Sequence, residues 1–168
     1  MSRCTRQVLL VNRGAHSSMA PNNTFVFGGN EVVHQLTKGK NSFLYVSITL
    51  VNGSRLYELY DRFSISNEGD KYRLFLAGDA TGTLGDKMLN SGSSSYVLSG
   101  MYFTTYDRDN DRGGKNCAVD WRGGWWFNAC YSAFLNGPWS TERWCCPWHP
   151  TVRDGTSIKE TSLMIKRH

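Results

Sequence analysis

The sequence predicts an α+β fold: a small twisted, mainly antiparallel sheet with short helices, joined to a long irregular region. Three observations carry that prediction. Two runs of alternating apolar residues meet at an Asn-Gly pair. One short stretch, Glu31–Thr37, has helix start and stop signals. From about Asp79 to Asp154 the periodicity gives way to Gly, Ser, Asn and Asp, in a segment that holds all six tryptophans.

Residues 1–24 mix Ser, Asn, Pro and Gly without usable periodicity, and predict a loosely ordered lead-in. The helix follows, with Asn30 as its cap and an end before Gly39. In SFLYVSITL, residues Leu44, Val46, Ile48 and Leu50 alternate against Tyr45, Ser47 and Thr49, the period of a half-buried strand. Asn52-Gly53 then separates this run from RLYELYDRFSIS, which predicts a hairpin with a type I′ turn, both of whose central residues need positive φ. A third strand, YRLFLAG from Tyr72, comes after the turn-like NEGDK, and SLMIKRH alternates at Leu163 and Ile165 as a closing strand. A structureless region as long as the one between these last two strands is usually functional or tied down by disulfides or metal.

Composition narrows the function. With 168 residues, 40% hydrophobic and 13% aromatic, the chain can bury one domain's core. The net charge is +5, yet Lys and Arg form no run, so a nucleic-acid groove is not predicted. No run of about 18 apolar residues offers a membrane span. Five cysteines and two glycosylation sequons, Asn22-Asn23-Thr24 and Asn52-Gly53-Ser54, suit a secreted environment. The start does not resemble a secretory leader, because its apolar part, Val8–Val11, is short and Arg13 follows. The conflict predicts a fragment, or a start that has lost its true beginning. No nucleophile–base pair or catalytic carboxylate pair stands out, so no enzyme is predicted.

The stretch Tyr106–Gly137 concentrates the chemistry. Asp107, Asp109 and Asp111 alternate, and in a turn their carboxylates can converge on Ca²⁺, a hard cation that takes six to eight oxygens. With Asp107 at the first position, an EF-hand would need Gly and Glu where Arg112 and Ala118 stand, so that loop type is excluded. A solvated acidic turn capped by Arg108 and Arg112 is the alternative. Cys117 and Cys130 bracket AVDWRGGWWFNA; in an oxidising compartment a disulfide there would close a small loop. Zinc would want paired C-x-x-C or nearby His, and a catalytic thiol would want a histidine; neither is in the segment. Adjacent Cys145 and Cys146, and isolated Cys4, have no assigned pairing.

These residues carry a resemblance. DRDNDRGGKNCAVDWRGGWWFNACYSAFLNG resembles the core of the fibrinogen C-terminal (fibrinogen-related) domain, with its D-x-D-N-D, N-C-A, G-x-W-W, N-x-C and L-N-G elements in order. GGNEVVHQLT, YDRFSISNEGDKYRLFLAGDATGTLGD and SIKETSLMIKRH resemble its flanks, so the likeness covers about 25–168 as a partial domain. It implies a secreted, non-catalytic recognition module, similar to ficolins and tachylectins among the lectin-like members. It implies Ca²⁺ held by the carboxylates of Asp109 and Asp111 and the carbonyls of Gly113 and Lys115, with Asp107 just outside. Beside the ion it implies a pocket for acetylated glycans in innate-immune-type recognition. There a cis peptide before Cys130 aims the N–H groups of Ala129, Cys130 and Tyr131, and Trp121 forms an aromatic wall. The same resemblance implies, as alternatives, a protein-interaction module of the angiopoietin or tenascin kind, or a truncated paralogue without function. Adjacent Trp125 and Trp126 are read as core.

Three departures from the family pattern accompany the likeness. Its N-terminal subdomain, with a cysteine pair of its own, has no counterpart, which predicts an uncovered apolar face and leaves oligomerisation to a region upstream. Tyr131 stands where the lectin-like members carry His. LNGPWSTERWCCPWHP is shorter than the family's stretch, leaving Trp139, Trp144 or Trp148 to supply pocket aromatics.

Overall fold

In the β3–β4 hairpin the sequence pattern becomes structure most directly. The computed structural model describes residues 9–12, 24–25, 29–137, 148–153 and 157–167. Strands β3 (Ser42–Leu50) and β4 (Arg55–Ile65) pair antiparallel from Leu44↔Tyr60 to Thr49↔Arg55. Leu44, Val46 and Ile48 point to the core and are buried, as the alternation requires. The turn differs from the expected type I′: Gly53 has φ +88°, but Asn52 is not among the residues with positive φ. Gly53 N–H donates to Leu50 O at 2.9 Å, and Leu50 N–H to Ser54 O at 2.8 Å. The loop therefore holds three residues, with only its last in the left-handed region, the next most common hairpin solution.

The sheet has six strands in the order β2-β1-β6-β3-β4-β5, adding β1 (Leu9–Asn12), β2 (Thr24–Phe25), β5 (Leu74–Gly82) and β6 (Ile158–Arg167). Every pairing is antiparallel except β1 with β6. The lead-in thus supplies strand β1 despite its lack of periodicity; four residues leave little pattern to read. Strand β5 begins two residues after Tyr72 because Lys71 and Tyr72 adopt φ of 54° and 51°, a turn that no ladder accommodates. Helix α1 (Asn30–Thr37) is capped by the Gly29 backbone, one residue before the expected Asn30.

One face of the sheet meets the irregular region. Leu44, Val46, Ile48, Tyr60, Phe63, Leu74, Leu163 and Ile165 form one buried cluster with Trp125, Phe127, Phe134 and Trp148. Each such side chain contributes about 1.5–3 kcal/mol on leaving water. The tryptophan-rich segment is therefore half of the core, and its fixed part is the platform for the loop described next.

Core-facing alternation also buries a carboxylate. Glu58 shares the inward face with Tyr60 and is 1% exposed. Its Oε2 accepts from Gly85 N–H at 2.8 Å, beside Asp86, which accepts from Tyr60 O–H at 3.2 Å. Burial raises its pKa above the ordinary 4.5; the Gly85 bond opposes this and Asp86 adds to it. A folded-state pKa above the unfolded one gives stability that is present at low pH and lost as pH rises through the folded value. Glu58→Gln keeps an acceptor for Gly85 and removes the charge. It should flatten the loss of stability above pH 4.5 and leave the protein at least as stable at pH 7, read from denaturant unfolding at a series of pH values. A variant with the parent's pH slope refutes the assignment.

Candidate functional site

The candidate site is built on a short frame at the edge of the tryptophan core. Thr104 pairs with Trp125 through mutual backbone bonds, Thr104 N–H to Trp125 O at 2.8 Å and Trp125 N–H to Thr104 O at 3.1 Å. Beyond it, Thr105 and Arg108 exchange backbone bonds at 3.0 and 3.1 Å, turning the chain so that Tyr106 and Asp107 project outward. Tyr106 is 76% exposed. Asn110 fixes the return: its Nδ2 donates to Phe103 O at 2.8 Å and its N–H to Thr104 Oγ1 at 3.2 Å.

Asp111 is the hub of the loop. Its Oδ1 accepts from Gly113 N–H at 2.8 Å and its Oδ2 from Cys117 N–H at 2.9 Å, while Asp109 Oδ1 accepts from Asp111 N–H at 3.1 Å. Burial raises the Asp111 pKa above the ordinary 3.8, the bonds from Cys117 and Gly113 pull it back, and the neighbouring Asp109 carboxylate raises it again. Two carboxylates are thus crowded together with a partly buried negative charge. A Cβ placed on Gly113 would stand 3.0 Å from both Asp111 Oδ1 and Lys115 O and 3.1 Å from Cys117 Sγ, so the position admits only glycine. The carboxylate and carbonyl oxygens here are hard donors of the kind that Ca²⁺ takes, and a cation would relieve the like-charge pair. Among the described residues no cluster of three His, Cys, Asp or Glu is arranged to hold a metal, so the fit depends on the backbone carbonyls.

Asn116 closes the loop onto helix α2 (Cys117–Asp120). Its Oδ1 accepts from Ala118 and Val119 N–H at 2.8 and 3.2 Å, and its Nδ2 donates to Thr105 O and Tyr106 O at 3.1 and 3.3 Å. Cys117 is joined to Cys130 in a disulfide with Cα atoms 5.5 Å apart. On the far side, Asn128 Nδ2 donates to Ser94 O and Val97 O, and Asn128 O accepts from Arg112 N–H at 3.0 Å. Asn116 and Asn128 are the asparagines of the N-C-A and N-x-C elements, which mark their positions but not their roles. An Asn immediately before a short helix is a cap signal for the first; the backbone bonds of the second are not readable from its motif.

The predicted ligand wall comes together in part. Trp121 and Tyr131 pack edge to face with centroids 5.2 Å apart, both half-buried, and Tyr131 continues into Phe127 and Phe134 at 5.9 and 5.0 Å. The expected cis peptide before Cys130 is absent: the cis bond among the described residues is His149–Pro150, and Cys130 instead has φ +63°. Ala129 N–H donates to Ser95 O at 3.0 Å and Asn128 N–H to Cys130 O at 2.9 Å. Of the three donors expected for an acetyl oxygen, Ala129 N–H is thus committed within the fold. Trp125 and Trp126 are core, at 0% and 5% exposure. Trp148, a candidate for the pocket, is buried, with Nε1 donating to Gly85 O at 2.7 Å. Trp139, Trp144, Cys4, Cys145, Cys146 and the asparagines of the first sequon lie outside the described residues. An open groove of about 550 Å³ lies between Lys38, Lys40, Ser64 and Phe75, and none of the predicted site residues lines it.

Comparison with known proteins places this geometry. The family described as "Fibrinogen beta and gamma chains, C-terminal globular domain" matches residues 15–167. The chain is 42% identical to human fibroleukin over 153 residues, covering 82% of this chain and 34% of fibroleukin. It is 37% identical to human angiopoietin-1 over 144 residues, covering 82% and 28%. The chain thus spans about a third or less of these relatives' length. The fibrinogen-like globe domain of human ANGPTL6 superposes with a TM-score of 0.70 at 35% identity, covering 82% of this chain and 62% of that one; the corresponding domain of human ANGPTL2 gives 0.70 at 33%. These relatives correct the ficolin- and tachylectin-like lean of the resemblance, and they offer no support for an acetylated-glycan pocket. By motif, by topology and by these likenesses, the chain belongs to the family of fibrinogen C-terminal globular domains.

Proposed function

We propose that this chain is a non-catalytic, extracellular protein-interaction module, of the angiopoietin kind, whose acidic loop is organised by Ca²⁺. The carrying observation is the contrast within the loop: Tyr106–Arg108 are exposed, while Asp111, Asn116 and the Cys117–Cys130 disulfide hold both ends of the segment. A surface fixed before binding loses less conformational freedom when a partner docks. Fibroleukin and angiopoietin-1 as relatives favour a protein partner over an acetylated sugar, as does the engagement of Ala129 N–H by Ser95 O. Among the described residues no helix is long and apolar enough to cross a membrane.

The carboxylates of Asp109 and Asp111, with the carbonyls of Gly113 and Lys115, would hold the ion. When bound it would supply the positive charge that offsets these two carboxylates. In a thermal melt, Ca²⁺ at a hundredfold excess over its Kd should stabilise the chain by about 2.7 kcal/mol relative to chelator, and Asp109→Ala should abolish that shift. Identical melting in Ca²⁺ and chelator refutes the metal assignment. For the partner class, the labelled chain is bound to cell surfaces in Ca²⁺ buffer. Prior proteolysis of the cells should remove binding, and free N-acetylglucosamine should not. Elution by the sugar with resistance to proteolysis reverses the reading in favour of a lectin.

A further inference from the structure

We infer that Asn52, at the tip of the β3–β4 hairpin, is a site of N-glycosylation, an inference that rests on the extracellular reading above. The sequence Asn52-Gly53-Ser54 satisfies the acceptor pattern, and the structure presents it in usable form. Val51, Asn52, Gly53 and Ser54 are all exposed. Asn52 Oδ1 accepts from Ser54 N–H at 2.9 Å, which orients the carboxamide and leaves Nδ2 outward. Among the described residues neither Nδ2 nor the Ser54 hydroxyl has a hydrogen-bond partner, so modification breaks no bond among them. There is also room: a Cβ built on Gly53 meets nothing within 4 Å. Beside it stands Val51, 66% exposed, an apolar surface that the first sugar ring would cover.

The chemistry is a glycosyl transfer from a lipid-pyrophosphate-linked oligosaccharide. Asn52 Nδ2 bonds to the anomeric carbon, the bond from that carbon to the pyrophosphate oxygen breaks, and the lipid pyrophosphate leaves with the electron pair. The amide releases one proton, and nothing is oxidised or reduced. The position has a consequence for docking. Strand β4 runs 11 residues from the hairpin tip to Ile65, about 35 Å at the rise of a strand. At that far end Ile65 pairs with Leu74, and Phe103, the base of the acidic loop, bonds to Lys71 O. A glycan on Asn52 therefore occupies the end of the sheet away from the loop and leaves the proposed docking face open.

The test uses the full chain, secreted from eukaryotic cells behind a cleavable leader. Peptide-N-glycosidase treatment in heavy-oxygen water, followed by mass spectrometry, should convert Asn52 to labelled aspartate. Asn52→Asp keeps the Oδ acceptor for Ser54 N–H and should remove one glycosidase-sensitive step in gel mobility; Ser54→Ala should do the same and Ser54→Thr should retain it. A secreted chain whose Asn52 peptide carries no glycan overturns the inference and leaves the extracellular reading standing. If Cys117 and Cys130 are both alkylatable in the secreted chain, the extracellular reading fails instead, and Asn52 is scored by its own peptide.

Discussion

Replacing Cys117 and Cys130 together by serine should lower the unfolding free energy by about 3 kcal/mol, the value expected when a crosslink closing a loop of this size is removed from the unfolded chain. The disulfide joins residues separated by 13 positions, and between them lie α2, Trp121 and the buried Trp125–Phe127 run. Cys117 N–H also donates to Asp111, so the acidic loop is anchored through the same residue. The double variant should lose stability in denaturant unfolding, and its 105–115 segment should exchange amide hydrogens faster than the sheet does. Equal stability of parent and variant would mean that core packing alone holds the segment. The double replacement is the informative one, because a single change leaves a reactive thiol against a buried surface.

Trp148→Ala should cost about 3–5 kcal/mol, the usual range for emptying a large aromatic site in a core. The side chain is fully buried, and its Nε1 donates to Gly85 O. Gly85 is also the donor to Glu58, so the vacated volume lies next to a buried carboxylate. Trp148→Phe keeps most of the packing and loses one hydrogen bond, which should cost nearer 1 kcal/mol plus a small cavity term. A drop of less than 1 kcal/mol for Trp148→Ala would show that the surroundings collapse into the space, contrary to the full burial of this ring and its bond to Gly85. Trp125 makes a useful contrast: it is equally buried, but its Nε1 has no hydrogen-bond partner among the described residues. Trp125→Phe therefore removes an unsatisfied donor along with the lost volume.

The sheet was legible because its strands alternate on a half-buried surface. Leu44, Val46 and Ile48 could face only one way, and Asn52-Gly53 marked where the chain reversed. The type of turn was not legible, since a three-residue loop needs positive φ at Gly53 alone and the same two letters serve both solutions. Strand β1 went unread because four residues that pair parallel to β6 have no periodic run long enough to register. In the site, the acidic loop and the cysteine pair were visible as residue types at fixed spacing. What those residues do to one another was not, because the bonds of Asp111 to Gly113 and Cys117 are made by backbone amides, which every residue but proline carries. The backbone geometry at Cys130 was not legible for the same reason: whether Ala129 N–H faces a ligand or Ser95 O depends on a distant turn. Trp148 was one of three candidates for a pocket aromatic, because an isolated aromatic among Cys, Pro and His gives no direction by itself.

The mutual backbone bonds of Thr105 and Arg108 have a use in engineering. They close the turn without help from the side chains of Tyr106, Asp107 or Arg108, all of which are exposed. Those three positions form a small exposed window that a designer can randomise to retarget the domain, while the asparagines and the crosslink behind it stay constant as scaffold.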